Sequence, residues 1–151
     1  YGSIAELRIE ADTGIDYITV LSTHTGVTHI NGGAGNDRIG VWFDSHDEPE
    51  IIADKVNELP LIGVNFPRFV DGRGYSIARL LRERFGYRNE LRAIGDVLLD
   101  QLQFMKRCGF DSYVLRADKD ISQAAKCLNF FSQGYQAATD TDLPLFRRRA
   151  G

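Results

Sequence analysis

The chain has 151 residues and a mass of 16.9 kDa, 43% hydrophobic and 26% charged, which suits one ordinary globular domain and excludes collagen, coiled-coil and wholly disordered readings. No apolar run approaches the roughly 18 residues of a membrane span, and residues 1–10 hold no apolar signal-peptide core, so a soluble protein with no membrane partner is expected. The net charge of −3 divides unevenly, with 3 basic and 11 acidic side chains in residues 1–66 against 15 and 10 in residues 67–151; the basic half is a candidate functional surface or, more plainly, a set of solvated helix faces.

Residues 12–39 are rich in Thr, Gly, Asn and Asp, and the runs 17–21 and 27–31 stand between glycines as short β-strands. After Gly40 the pattern changes to apolar runs of five or six residues alternating with helical periods, the signature of βα units on a parallel sheet. Strand 39–43 leads through the acidic turn 44–48 and Pro49 into a helix over 50–59 that buries Ile52, Val56 and Leu59. Strand 61–66 is followed by a long turn, and Ser76 is the expected cap of a helix whose Ile77, Leu80, Leu81 and Phe85 share a face until Gly86 stops it. A third strand over 91–95 precedes a helix carrying Leu98, Leu102 and Met105 before Gly109. Strand 112–116 leads to a helix from about Asp120 with Ile121, Ala124, Ala125 and Leu128 inward. Residues 134–151 read as a surface tail ending in Arg147, Arg148 and Arg149, and Trp42, Phe43, Phe66, Phe104 and Phe130 as core.

The expected fold class is therefore α/β: about four βα units on a parallel sheet, open or half-barrel-like, over residues 39–151, preceded by a β-rich segment 1–38 read as a fused or recombined start. Either architecture places ligands at the carboxyl ends of the strands. The turns there hold Asp44 and His46, then residues 65–75, then Gly95 and Asp96, then Arg116, Asp118 and Lys119. A half-barrel sheet leaves two edges open, which predicts dimerisation.

Within 65–75, Gly72-Arg73-Gly74-Tyr75-Ser76-Ile77 follows a strand and opens a helix, but Ile77 occupies the third glycine position of a dinucleotide fingerprint, so no redox-cofactor motif is recognised. Arg73, Gly74, Ser76 and Arg79, joined by Arg116 from the end of the fourth strand, form the candidate anion-binding set, because a flexible backbone and forked guanidinium donors suit an oxyanion. The alternative is that Asp71 pairs with Arg73 or Arg79 to fix the turn. Asp71 and Asp96 are the candidate acid/base residues, with Asp96 equally readable as a helix cap and as a partner for Arg116. Asp118 and Asp120 read as helix-start residues. Cys108 and Cys127 form no CxxC pair and read as packing thiols, which points to the cytosol; His24, His29 and His46 form no ligand pair; three arginines on a tail do not make a nucleic-acid site.

Phe66-Pro67-Arg68-Phe69-Val70-Asp71-Gly72-Arg73-Gly74-Tyr75-Ser76, with Glu90-Leu91-Arg92-Ala93-Ile94-Gly95-Asp96-Val97, the stretch from Asp100 to Asp111 and the closing Pro144-Leu145-Phe146-Arg147-Arg148-Arg149, resembles the bacterial domain of unknown function 934 family over about residues 40–149. Members are described as candidate oxidoreductases linked to sulfite reduction, and the resemblance implies that process. It implies as partners sulfite reductase or another sulfur-assimilation enzyme. Two isolated cysteines cannot hold the four-cysteine cluster of sulfite reductase itself. Gly32-Gly33-Ala34-Gly35-Asn36-Asp37-Arg38-Ile39-Gly40 resembles one calcium-binding nonapeptide, and residues 13–18 half of another, with Asp16 and Asp37 as the implied ligands; a Gly/Asn/Asp hairpin without metal is the plainer reading. Three functions follow: an accessory protein of assimilatory sulfite reduction binding a small oxyanion or a partner enzyme, a small enzyme with an Asp acid/base and Arg clamps, and a calcium module in residues 12–40.

Overall fold

The structure, a computed structural model, describes residues 6–10, 17–21, 27–31 and 38–148. Three short strands, β1 (Glu6–Glu10), β2 (Tyr17–Leu21) and β3 (Val27–Asn31), precede β4 (Arg38–Phe43). Their pairing corrects the expected hairpin: β1 pairs with β3 and β2 with β4, both in parallel, so neighbours in sequence do not pair. Glu6 lies opposite Val27 and Tyr17 opposite Arg38, each pair twenty-one residues apart, and Gly40 stands opposite Leu61 at the same interval. Strand propensity is local, whereas the choice of partner is made over the length of a whole coil, which composition does not encode. Asp16 and Asp37, the implied calcium ligands, lie outside the described residues.

The chain is an α/β fold. β4, β5 (Leu61–Phe66), β6 (Glu90–Gly95) and β7 (Ser112–Tyr113) stand side by side in chain order, all parallel, with β2 on the outer side of β4. That order never reverses, unlike a doubly wound sheet, so right-handed crossovers carry every connection over the same face. That strand order fits the open sheet and the half-barrel alike. On the covered face Phe43 stands opposite Val64, Ile62 opposite Leu91 and Val64 opposite Ala93, and all five are fully buried. Val56, Ile77, Ala78, Leu81, Leu102 and Met105 pack onto them from the connections.

Those connections are more irregular than the periodicity predicts. Pro49–Glu58 is a 3₁₀ helix that fully buries Pro49 and Val56, with Ile52 half-buried. After β5, α1 (Arg73–Arg79) starts three residues before the expected cap, and Ser76 is an exposed position inside it. The reason is local: the Asp71 carboxylate accepts from the Arg73 amide at 3.2 Å and so holds the first turn open at Gly72. Gly74 is buried, and a Cβ there would stand 2.7 Å from Cζ of Phe66, so this glycine lets the helix seat on the aromatic ring. α1 continues as a π turn, Leu80–Arg84, and ends at Gly86 with φ +66°. β6 is followed by the 3₁₀ turn Leu99–Gln101 and α2 (Leu102–Arg107), which buries Leu102 and Met105 as expected. β7 has two residues rather than five, although the Val114 and Arg116 amides still donate to Ala93 and Val97 carbonyls. A 3₁₀ turn, Ile121–Gln123, capped by Asp120 through the Ser122 amide, leads into α3 (Ala124–Cys127).

Four side chains expected inside are outside: Phe104 is 54% exposed, Phe130 74% and Ile121 78%, and Ala125 is exposed as well. On α2 the inward positions are Leu102 and Met105, and 100° per residue turns Phe104 to the outer flank. α3 is too short to present a second inward turn. The C-terminal stretch is likewise no loose tail: Gln103 exchanges two hydrogen bonds with the backbone of Phe131, the Thr139 amide and hydroxyl both donate to the Arg107 carbonyl, and the last described element is α4 (Leu145–Arg148).

Chemical denaturation checks this packing. Gly74→Ala is expected to lower stability by about 1–3 kcal/mol through overpacking against Phe66, and Leu91→Ala by about 2–5 kcal/mol through a cavity. Ser76→Ala should stay within about 0.5 kcal/mol of wild type; a loss as large as that of a missing cap would restore Ser76 as the helix start.

Candidate functional site

Each strand delivers one polar turn to the same end of the sheet. At the end of β4, Asp44 accepts from the Ser45 amide (2.7 Å) and from Nδ2 of Asn65 on β5 (3.2 Å), while its own amide donates to Asp47. Ser45 is buried, and its hydroxyl adds a small part to the lowering of the Asp71 carboxyl. The turn after β5 is closed by Asp71, which takes Nε of Arg73 at 2.9 Å and Nη2 at 2.6 Å in a forked pair. The turn after β6 is Gly95 and Asp96. Gly95 has φ +93° and a Cβ there would stand 2.5 Å from the Phe66 carbonyl oxygen, so the chain passes between strands only as glycine.

Asp96 links three turns. Its amide donates to the Phe66 carbonyl at 2.7 Å, one carboxylate oxygen accepts from the Phe69 amide at 2.8 Å, and the other from Nη1 of Arg116 at 2.9 Å. It does not cap the following helical turn, whose N-cap is Leu98, with the Leu98 amide donating to the Gln101 side chain. Arg116, after β7, is forked by Asp118 at 2.6 and 2.9 Å, and Lys119 adds to Asp118 at 2.9 Å.

Of the proposed anion-binding set, Arg73 and Arg116 therefore stand at the strand ends, but on separate carboxylates. Arg73 belongs to Asp71, and Arg116 to Asp96 and Asp118. Arg79 pairs with Glu83 at 2.6 Å and faces a different cavity, of about 670 Å³, between α1 and the 137–142 stretch. Gly74 serves packing against Phe66, and Ser76 lies exposed on α1. The Asp118 fork and the Asp44–Asn65 bond were not foreseen. The only sequence signal for the first was an Arg-x-Asp spacing that helix-start grammar explained equally well. The second needs the strand register.

The electrostatics follow from the pairing. The Arg73 guanidinium holds the Asp71 carboxyl well below the usual carboxylate range, and Arg116 followed by Lys119 does the same to Asp118. The Phe69 amide, and after it Arg116, lowers Asp96. These carboxylates are permanent anions near neutrality. Burial pushes the Cys108 thiol up to about 11, which makes it the structural thiol expected. Among the described residues no group of three His, Cys, Asp or Glu side chains is placed to hold a metal ion, and no helix is long and apolar enough to cross a membrane.

The fold and this end of it define a parallel α/β protein whose strand ends carry an ion-paired polar surface. More specifically, the chain belongs to the family described as Bacterial protein of unknown function (DUF934), whose profile matches residues 40–146. That span begins inside β4 and ends in α4. No curated protein and no solved structure matches the chain.

A group whose folded pKa is depressed adds stability that is complete above its unfolded pKa, about 3.9 for Asp, and is lost as pH falls through the lower folded value. Wild-type stability is thus expected to drop as pH is lowered from about 5 towards 2, and Asp96→Asn should flatten that slope. Denaturation midpoints across this range check it; an unchanged slope in Asp96→Asn would remove Asp96 from the ion-pair network that ties the turns.

Proposed function

We propose that this protein serves assimilatory sulfite reduction in the cytosol as an accessory factor, holding a small oxyanion, or a carboxylate of the reducing enzyme, at the carboxyl ends of β4 to β7. The process comes from the family resemblance. The observation that carries the binding mode is the state of the two strand-end guanidiniums: both are pre-ordered by carboxylates, and both are substantially exposed, Arg73 at 60% and Arg116 at 45%. A guanidinium offers five N–H donors. Asp71 takes two from Arg73, and Asp96 with Asp118 takes three from Arg116, which leaves donors on each for an incoming anion. Ordering the side chains before binding removes an entropic cost that a free arginine would bear.

The same pairing weighs against the acid/base reading. A general acid or base works best with a pKa near the operating pH, and Asp71 and Asp96 are both shifted the other way. The Gly72-Arg73-Gly74 turn, filled by the Phe66 ring at its second glycine, gives a dinucleotide no close approach to the backbone. These features support binding in preference to proton transfer by this chain.

A thermal-shift series with sulfite, sulfate and phosphate tests the reading. An anion at about 100 times its dissociation constant adds roughly 2.7 kcal/mol, or on the order of 5–10 °C for a chain of this size. The rise is expected in wild type, reduced in Arg73→Ala and in Arg116→Ala, and retained in Arg79→Ala. An accessory role further predicts no sulfite turnover by the purified protein alone and an altered rate when it is added to sulfite reductase. Three flat melting curves would end the oxyanion proposal, and turnover alone that is lost in Asp96→Asn would replace it with an enzyme.

A further inference from the structure

We infer that the outer face of α2 and the C-terminal stretch strapped across it form a docking surface for a partner protein, one that presents a bulky apolar side chain next to a carboxylate. This surface is separate from the strand-end site and stands independently of the sulfite reading. Its centre is a hollow of about 380 Å³ between Phe104, Phe131 and Tyr135. These three rings are 54%, 67% and 61% exposed. Phe130 extends the surface beside Phe131, with centroids 5.0 Å apart, and Phe146 lies 6.2 Å from Tyr135. Exposed aromatic side chains gathered on one face are unusual for a surface that meets only water.

The chemistry of the occupant is set by the adjoining hollow, about 230 Å³, which shares Gln103, Arg107 and Phe131 with the first. Lys106, Arg107 and Arg148 line it against a single carboxylate, Asp140. Two of these cations are held by neutral acceptors: Nζ of Lys106 donates to the Asn129 side-chain oxygen at 3.0 Å, and Nη2 of Arg148 to the Gly134 carbonyl at 2.9 Å. The third, Arg107, lies 3.6 Å from Asp140 and keeps a buried Nε with no hydrogen-bond partner, while its Nη2 bonds the Gln136 carbonyl. Asp100 lines the aromatic groove as well, so the two hollows together carry three cations and two carboxylates, and positive charge is left over on the side of the second. A carboxylate is the complement to the hollow, and an aliphatic or aromatic side chain the complement to the groove. Aromatic and arginine residues together are also the composition of interface hot spots.

The surface is preformed. The paired bonds between Gln103 and Phe131 and the Thr139 bonds to Arg107 fix the stretch to α2, and the Arg148 bond to Gly134 closes the stretch on itself, before any partner arrives. The apolar area runs past the central hollow to Phe130 and Phe146, wider than a small aromatic acid would cover, which favours a protein segment.

Fluorescence anisotropy with the whole chain tests this. The probe is a dye-labelled peptide with Leu-Phe flanked by glutamates; its twin carries lysines in their place. The glutamate peptide is expected to bind, with affinity falling as salt rises, and the lysine twin to bind at least about tenfold more weakly. Phe131→Ala and Arg148→Gln should each weaken the glutamate peptide by about tenfold; both side chains are on the surface, so melting temperatures near wild type show that the fold is kept. Arg73→Ala should bind like wild type. Equal binding of the two peptides, no binding of either, or no loss in Phe131→Ala and Arg148→Gln overturns the proposal. Light scattering that finds a dimer dissociated by Phe131→Asp would give the surface to a second copy instead, and phenylacetate binding as tightly as the peptide would give it to a small acid.

Discussion

The carboxylate of Asp96 is the constraint on which the strand-end architecture depends. Parallel strands joined by crossovers arrive at one end of a sheet with few backbone bonds between their turns, here Asp96 to Phe66 and Arg116 to Val97. Asp96 supplies a tie: it takes the Phe69 amide of one turn and the Arg116 guanidinium of another while its own amide bonds to Phe66. Because the acceptor is an anion and one donor a cation, the tie is of the stronger, charge-assisted kind. It also keeps Arg116 in a fixed direction, and Arg116 in turn orders Asp118 and Lys119.

What the strand-end surface offers is thus a set of guanidiniums whose directions are fixed by partners and whose remaining donors face water. A surface of this type has fixed dipoles and charges rather than a poised proton. The covered face of the sheet does the complementary work. Phe66 lies under Gly74, in edge contact with Tyr75 and tilted against Phe110, so the ring that supports α1 also fixes where Asp71 and Arg73 begin. Packing and site geometry therefore share one residue.

Much of this was legible in the sequence, for identifiable reasons. Apolar runs such as 61–66 separated by helical periods demand a parallel sheet, and Ile62, Val64, Leu91, Leu102 and Met105 fell inside because their periods matched their elements. Asp71, Asp96 and Arg116 were placed at the strand ends by topology alone. The errors share a cause. Ser76 looked like a cap because side-chain grammar sees local hydrogen bonding, whereas α1 is started from Asp71 and seated by Phe66. Phe104 and Phe130 looked like core because hydrophobicity says which residues prefer burial but not how much of a short helix can reach the sheet. The parallel pairing of β1 with β3 and the forked bond of Asp118 to Arg116 are long-range or competing choices that neither period nor propensity resolves.

The central claim is that Arg73 and Arg116, already ordered by carboxylates, are the groups that meet an anion. A sulfite titration followed through the side-chain Nε–H signals of the arginines by NMR tests this most directly. The account predicts saturable shifts of the Arg73 and Arg116 signals, with Arg79, held by Glu83 over a different cavity, unmoved. Signals that stay in place at both strand-end arginines, or that move equally at all arginines with no saturation, would contradict it.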